Sequence, residues 1–155
     1  MLVCKLIVYK DERRRMKKTE CIFFQFAKAN QLASRFLSQK VAELNITSVQ
    51  ALVLGFLGDE DRITSSGLGK RTELDSATLT GILDRLEAAG YIMRKGNPED
   101  RRSIHIYLTK QGKLMSKEAI RVITKANLEF LGVLTDAQKL ELLGIISKLR
   151  LSAQG

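Results

Sequence analysis

Small and hydroxyl-bearing residues share one side of a segment whose other side is apolar. Over residues 75–90, the apolar residues recur at the spacing of one helical face, and they are Leu79, Ile82, Leu83 and Leu86. The opposite side carries Ser76, Ala77, Thr78, Thr80 and Gly81, with Arg85 beside them. Short side chains let a helix enter a groove closely, and hydroxyl groups can bond base edges or phosphates. The pattern favours a helix that binds the major groove of double-stranded DNA.

Basic residues follow this helix in a candidate hairpin. Gly90 is expected to end the helix in a left-handed conformation, and residues 91–95 and 103–108 are predicted to form the two strands. Arginine suits the narrow minor groove because its guanidinium is weakly hydrated and the potential there is strongly negative. We expect Arg102 at the hairpin tip to have this role, with Asp100 aiming its guanidinium. The further candidate DNA contacts are Arg94, Lys95 and Arg101.

The elements before this helix complete a winged helix-turn-helix. Residues 47–50 form a predicted capping box, which begins a helix burying Val49, Leu52, Val53, Phe56 and Leu57. Residues 64–71 predict a short helix, and residues 72–74 predict the turn before a cap at Asp75 or Ser76. The N-terminus of the recognition helix offers free N–H groups that could bind a phosphate. Helix and wing can then engage adjacent grooves of one duplex.

Long apolar helices flank this central unit. Residues 18–43 predict one helix with a wide apolar face, and residues 136–150 predict another that is hydrophobic around much of its circumference. A protomer of 155 residues has little core in which to bury both, which favours an intertwined homodimer. The predicted fold is mainly α with a small β-hairpin wing. It is a single domain over residues 1–155, with an extension at 1–17, dimerisation helices at 18–46 and 110–155, and the winged unit at 47–109.

The quoted motifs resemble the MarR family of bacterial transcriptional regulators. The similarity is carried by residues 74–92 and by Glu99-Asp-Arg-Arg-Ser103 followed by Leu108-Thr-Lys-Gln-Gly112. It implies a homodimer with two winged units on successive major grooves of a pseudo-palindromic operator, and it implies that Arg102 enters the minor groove. Such proteins usually repress transcription. Many release DNA when a small phenolic ligand, a metal or an oxidant acts on them.

The sensing chemistry leaves two alternatives open. A small apolar or phenolic effector could bind between the dimerisation helices and the winged unit, in a pocket lined by the first helix and the helix of residues 49–57. Alternatively, residues 75–80 resemble the branch of the family that senses organic hydroperoxides through a cysteine, and Cys21 lies in about the right region. No tyrosine occurs between Tyr9 and Tyr91 to support a thiolate, so we rank the small-molecule effector first. His105 is the only histidine and has no cysteine cluster nearby, so neither a metal nor a cofactor is expected.

The net charge of +9 is concentrated outside the winged unit. Residues 1–46 have a net charge of +6, residues 47–109 have −1 and residues 110–155 have +4. This distribution suits a non-sequence-specific architectural DNA-binding protein as an alternative to a regulator, because excess basic charge raises non-specific affinity.

Other function classes find no support in the sequence. Neither a phosphate-binding glycine motif nor a nucleophile with an evident base is present, so we do not expect an enzyme. Apolar runs are too short for a bilayer span, and residues 1–9 precede their basic cluster, unlike a secretory signal. The two cysteines do not suggest a disulfide framework, and we expect a cytoplasmic location. Residues 1–15 differ in pattern from the rest of the chain, and we expect that their deletion leaves DNA affinity nearly intact.

Overall fold

Six α-helices and three short strands make up the part of the chain described by this computed structural model, which is residues 18–60, 62–96 and 104–152. In chain order they are α1 (Ile22–Val41), α2 (Ser48–Asp59), β1 (Ile63–Thr64), α3 (Ser65–Thr72), α4 (Ser76–Ala88), β2 (Ile92–Gly96), β3 (Ile104–Leu108), α5 (Lys110–Phe130) and α6 (Asp136–Ser152). Two 3-10 helices, Lys18–Glu20 and Ala42–Leu44, flank α1. The fold is the predicted winged helix, mainly α with a small sheet.

The three strands form one antiparallel sheet in the order β1-β3-β2. Ile106 of β3 pairs with Ile63 on one side and with Arg94 on the other. The sequence predicted only the hairpin of β2 and β3. Strand β1 was missed because its two residues are too few to show an alternating pattern. Strand β1 makes β3 the central strand, and β2, which carries the wing, lies at an edge of the sheet.

The main hydrophobic core lies under α4. Its buried members are Val53, Leu54, Leu57, Ile63, Leu68, Leu79, Ile82, Leu83, Leu86, Ile92, Ile106 and Leu108. All four apolar residues predicted for the inner face of α4 belong to this core. The prediction for α2 was partly wrong, because Val49 and Leu52 are 39% and 40% exposed while Ala51 and Leu54 are buried. Helix α2 is apolar on nearly every side, so periodicity could not define which face is buried.

Helix α2 packs closely against α5. The hydroxyl of Ser116, which is 2% exposed, donates a hydrogen bond of 2.8 Å to the carbonyl oxygen of Leu54. A Cβ atom at Gly58 would lie only 2.3 Å from that hydroxyl oxygen, so glycine permits the approach. The predicted capping box of residues 47–50 is formed, and a second one is formed at residues 135–138. The side chain of Gln50 accepts from the Thr47 N–H at 2.8 Å, and that of Gln138 accepts from the Thr135 N–H at 2.9 Å.

The chain divides into two compact units, Met1–Ala33 and Ser34–Gly155. In the described part of the first unit, the long helix begins at Ile22 and not at Lys18 as predicted, because the 3-10 helix precedes it. Gln25 supports that turn by donating a hydrogen bond of 2.6 Å to the carbonyl oxygen of Thr19. Phe23 is 80% exposed in this unit. In the second unit, helix α6 has no buried residue, and Leu140 is 73% exposed.

None of the described helices alone combines the length and the hydropathy needed to span a membrane. Only α1 with its 3-10 extension and α2, counted together as a bent pair, meet the limits of length and composition.

Candidate nucleic-acid interface

The recognition helix, α4, begins at a cap formed by Asp75. One carboxylate oxygen accepts from the Thr78 N–H at 2.8 Å, and the other accepts from the Thr78 hydroxyl at 2.6 Å. These donors, the hydroxyl first, lower the pKa of Asp75. Its stabilisation of the helix is therefore present above the unfolded pKa of about 4 and is lost as the pH falls through the lower folded value. The carboxylate lies at the helix N-terminus, where the sequence suggested that a phosphate could bind.

The predicted DNA-facing residues of α4 lie on the side opposite the core. Ser76, Ala77, Thr78, Thr80 and Arg85 are exposed, and Gly81 is half-buried. Apart from its chain neighbours and the backbone of its own helix, a Cβ atom built at Gly81 would have no heavy atom within 4 Å, so the space in front of this residue is open. The fold does not require glycine at this position. An outer face of this kind lets the helix backbone approach a groove closely.

The two threonine hydroxyls on this face already donate hydrogen bonds within the helix. Thr78 donates to Asp75, and Thr80 donates to the carbonyl oxygen of Ser76 at 2.7 Å. While these bonds persist, each hydroxyl has only acceptor capacity left, and each side chain also carries a methyl group. Acceptors pair with the exocyclic amino groups of adenine and cytosine, and methyl groups contact the thymine methyl. The hydrogen-bonding sense of both threonines is therefore defined before DNA binds.

The tip of the wing lies outside the described residues. This part of the chain includes Asp100, Arg101 and Arg102, whose predicted roles stay predictions. The described base of the wing carries Lys95, which is exposed and whose Nζ lies 5.4 Å above the ring centre of Tyr107. Tyr107 also contacts the ring of His105, with centroids 6.4 Å apart. The base of the hairpin thus keeps one predicted basic contact available at its surface.

Arg94, another predicted DNA contact, is paired with two carboxylates of α4. Its Nη1 donates to Oδ1 of Asp84 at 2.6 Å and to Oε2 of Glu87 at 3.0 Å. Its backbone N–H donates to Oε1 of Glu87 at 3.0 Å. We call Arg94, Asp84 and Glu87 the wing clamp. The guanidinium of Arg85, on the same helix, forms no ion pair among the described residues.

Sequence reasoning missed this role of Asp84 and Glu87. They are separated from Arg94 by ten and seven residues and lie on a different element. Periodicity relates residues within one element, so a pairing between α4 and β2 gives no local signal. The one indication of a partner elsewhere was the presence of these two acidic residues on a helix expected to face phosphates.

A second junction connects the end of α4 to the start of α5. Gly90 adopts a φ of 75°, which ends α4 as predicted. Thr109 donates to the Gly90 carbonyl oxygen at 2.7 Å and accepts from the Gly112 N–H at 2.9 Å, so it caps α5. A Cβ atom at Gly112 would lie 1.8 Å from the carbonyl oxygen of Tyr91. These contacts explain the Leu-Thr-x-x-Gly motif and hold the base of the wing beside α4.

A shallow groove between α2 and α5 offers space for a small molecule. Its volume is about 230 Å³, and its lining is Leu52, Gly55, Phe56, Asp59, Ile120, Ile123 and Thr124. The sequence predicted a pocket lined by the first helix and α2. This groove is lined from α2 and α5, which Ser116 and Gly58 bring into close contact, and the predicted pocket beside the first helix stays a prediction.

The described residues contain no group of three or more histidine, cysteine, aspartate or glutamate side chains that could hold a metal ion. Cys21 immediately precedes α1, and its carbonyl oxygen accepts from the Gln25 N–H at 3.1 Å. Its thiol is free and partly exposed. Cys21 is therefore accessible at the start of a helix.

Comparisons with known proteins agree with this geometry. The sequence profile of the MarR family matches residues 46–104. An organic hydroperoxide resistance transcriptional regulator of Bacillus subtilis (strain 168) is 33% identical over 105 residues, which are 68% of this chain and 71% of that protein. The HTH-type transcriptional regulator SarZ of Staphylococcus saprophyticus is 30% identical over 115 residues, 74% of this chain and 77% of that protein. A solved structure of a mutant MarR from E. coli complexed with operator DNA has a TM-score of 0.77 at 27% identity, covering 83% of this chain and 92% of that one.

Proposed function

The chain belongs to the MarR family of DNA-binding transcriptional regulators, and on that premise we propose that it is a homodimeric repressor of a pseudo-palindromic operator. The observation that carries the proposal is the outer face of α4, which is small, exposed and open in front of Gly81. Such a face suits insertion into a major groove roughly 12 Å wide. Its work is binding and not catalysis, and it takes place in the cytoplasm, where bacterial operators are found.

The predicted DNA-contacting residues divide into three roles in this proposal. The first two turns of α4 contact bases through Ala77, Thr78 and Thr80, so substitutions at the two threonines change base preference and not salt dependence. Lys95, Arg85 and Arg101 neutralise phosphates. Arg102 enters the minor groove, and Asp100 aims its guanidinium.

The dimer is proposed from the exposed apolar helices. Phe23 on α1 and Leu140 on α6 are 80% and 73% exposed, and monomeric proteins rarely leave such faces open. A two-fold dimer presents two recognition helices, which fit successive major grooves when they lie about 34 Å apart. The operator is then a pseudo-palindrome with two half-sites.

Selection from a random duplex library, followed by footprinting, tests the proposal. A regulator should select a sequence with two half-sites about one helical turn apart. Its affinity for that duplex should exceed its affinity for scrambled DNA by about 10³ or more at physiological salt. Equal affinity for both duplexes would instead support the architectural DNA-binding protein and contradict the repressor.

We propose a small apolar or phenolic effector, bound at the groove between α2 and α5, as the signal that releases the operator. The groove is lined largely by Leu52, Phe56, Ile120 and Ile123, which suits an apolar ligand. Helix α2 belongs to the core beneath α4, so a ligand there can bias the spacing of the two recognition helices. A departure of a few ångströms from one helical turn would mismatch successive grooves.

A thiol sensor for organic hydroperoxides is the second candidate. Its support is the partly exposed thiol of Cys21 at the start of α1, together with similarity to a regulator named for organic hydroperoxide resistance. The thiolate would attack the hydroperoxide, forming a sulfenic acid and releasing the alcohol. A gel-shift assay with organic hydroperoxide separates the candidates. If the wild type releases DNA and Cys21→Ser does not, thiol sensing is correct and the effector ranking is wrong.

A further inference from the structure

The wing clamp places two acidic side chains on the part of the protein that faces DNA. The side chains of Asp84 and Glu87 are 57% and 39% exposed. Carboxylates near phosphates weaken DNA binding by Coulomb repulsion, so their presence on the recognition helix calls for a compensating role. Their bonds to Arg94 provide one, because they join α4 to the edge strand of the wing.

The geometry of the clamp is that of a two-point attachment. Glu87 accepts from both the backbone N–H and the guanidinium of Arg94, and Asp84 accepts a second bond from the same Nη1. Strand β2 lies at the sheet edge, so the backbone N–H groups on its outer side have no neighbouring strand to bond. The Arg94 side chain is only 26% exposed, so water screens these charge-assisted bonds incompletely.

We propose that the wing clamp is a positioning device which sets the angle of the wing against α4, so that both elements reach their grooves together. Arg94 is then a positioning residue and not a DNA contact. The proposal rests on the proposed function, because it requires helix and wing to bind one duplex. Simple electrostatics predicts that removing negative charge from α4 strengthens DNA binding. The proposal predicts the opposite for the operator, whose binding should weaken.

Neutralising the two carboxylates tests whether the loss of negative charge from α4 weakens or strengthens operator binding. The double variant Asp84→Asn/Glu87→Gln raises the net charge by two and frees Arg94. We expect its operator affinity to fall about ten-fold while its affinity for scrambled duplex stays equal or rises. Retained binding to scrambled DNA, with a cooperative thermal unfolding transition, shows that the variant is folded. An increased operator affinity would overturn the clamp.

Salt dependence separates a positioning arginine from a contacting one. A phosphate contact contributes about 0.9 to the slope of log affinity against log salt concentration. We expect Arg94→Met to lower operator affinity about ten-fold with an unchanged slope, and Arg94→Lys to recover part of the loss by keeping one ion pair. The matched control is Arg85→Met on the same helix, which removes a guanidinium that forms no ion pair among the described residues and should therefore reduce the slope. A reduced slope for Arg94→Met would overturn the proposal.

A double-mutant cycle with the wing tip completes the test. If the clamp positions the tip, the losses caused by Arg94→Met and Arg102→Ala are strongly sub-additive, because the second change removes a contact that is already misplaced. Fully additive losses would contradict positioning. If Arg102→Ala alone has no effect, the wing contact of the proposed function fails. The clamp is then judged by the Asp84→Asn/Glu87→Gln variant, which must still bind the operator less tightly.

Discussion

At the scale of single residues, Gly81 separates the demands of folding from those of DNA binding. Glycine inside a helix destabilises it by about 0.5–1 kcal/mol relative to alanine, and the open space in front of Gly81 would accept a methyl group. The residue is therefore unfavourable for stability. In the proposed function, its role is to let the α4 backbone approach base edges closely.

We expect Gly81→Ala to raise the free energy of unfolding by about 0.5–1 kcal/mol and to weaken operator binding by an amount like one base contact, about 1–3 kcal/mol. Chemical denaturation and a fluorescence-anisotropy titration measure the two effects. The matched control is Gly55→Ala on α2, where the new Cβ would lie an ordinary 3.7 Å from Ile120. It should leave operator binding unchanged. If Gly81→Ala also bound like wild type, the close approach of α4 to DNA would be wrong.

At the scale of elements, the junction of α4, β2 and α5 determines where the wing begins. The Gly112 position is the most restrictive, because a side chain there would meet the Tyr91 carbonyl oxygen at 1.8 Å and a methyl group of Leu108 at 3.2 Å. Backbone atoms cannot move aside as a flexible side chain can. The start of α5 and the base of the wing are therefore packed at a distance that only glycine allows.

The variant Gly112→Ala should lower the free energy of unfolding by about 1–3 kcal/mol or more, as expected for overpacking against backbone. The midpoint of urea denaturation measures this change. Gly55→Ala again provides a helix-interior control of equal size. An unchanged midpoint for Gly112→Ala would show that the junction tolerates a displacement of α5.

Local signals explain which elements the sequence could predict. The capping box of Thr47 and Gln50, the cap at Asp75 and the left-handed Gly90 each depend on residues a few positions apart, and all three are formed. Strand β1 has only two residues, and the buried face of α2 is ambiguous because apolar residues surround that helix. These two features depend on tertiary packing, which a periodic pattern does not encode.

The candidate site follows the same division. The outer face of α4 was predictable because Leu79 and Leu83 lie one helical turn apart on the buried face, which leaves Thr78 and Thr80 outside it. The clamp of Arg94 was not, because it joins two elements through residues without a characteristic spacing. Which acceptors the two threonine hydroxyls donate to depends on side-chain rotamers, which only the structure provides.

At the scale of the whole molecule, the terminal helices lead to a prediction of mass. An obligate interface should bury about 2,000 Å² or more, and light scattering at micromolar concentration should give twice the chain mass of 17.4 kDa. Leu143 on α6 is 56% exposed, so Leu143→Glu should place a charge in the interface and weaken the dimer. Lys148→Gln on the same helix is the polar control. A wild-type monomer would contradict the proposed dimer.

The charge distribution also belongs to this scale. The winged unit has a net charge of −1, whereas the flanking segments have +6 and +4. We therefore expect sequence-independent attraction to DNA to come mainly from the ends of the chain, and discrimination to come from the winged unit. Substitutions of the two wing-tip arginines, Arg101 and Arg102, should separate sequence-independent attraction from discrimination most easily.

The operator affinity of Arg102→Ala tests the central claim most directly, because a helix and a wing that bind one duplex both depend on it. We predict a loss of about 1–3 kcal/mol at physiological salt with little change in affinity for scrambled DNA. Arg101→Ala is the neighbouring control and should act as the loss of one phosphate contact, reducing the salt slope by about 0.9. Unchanged operator affinity for Arg102→Ala would contradict the assignment of the wing.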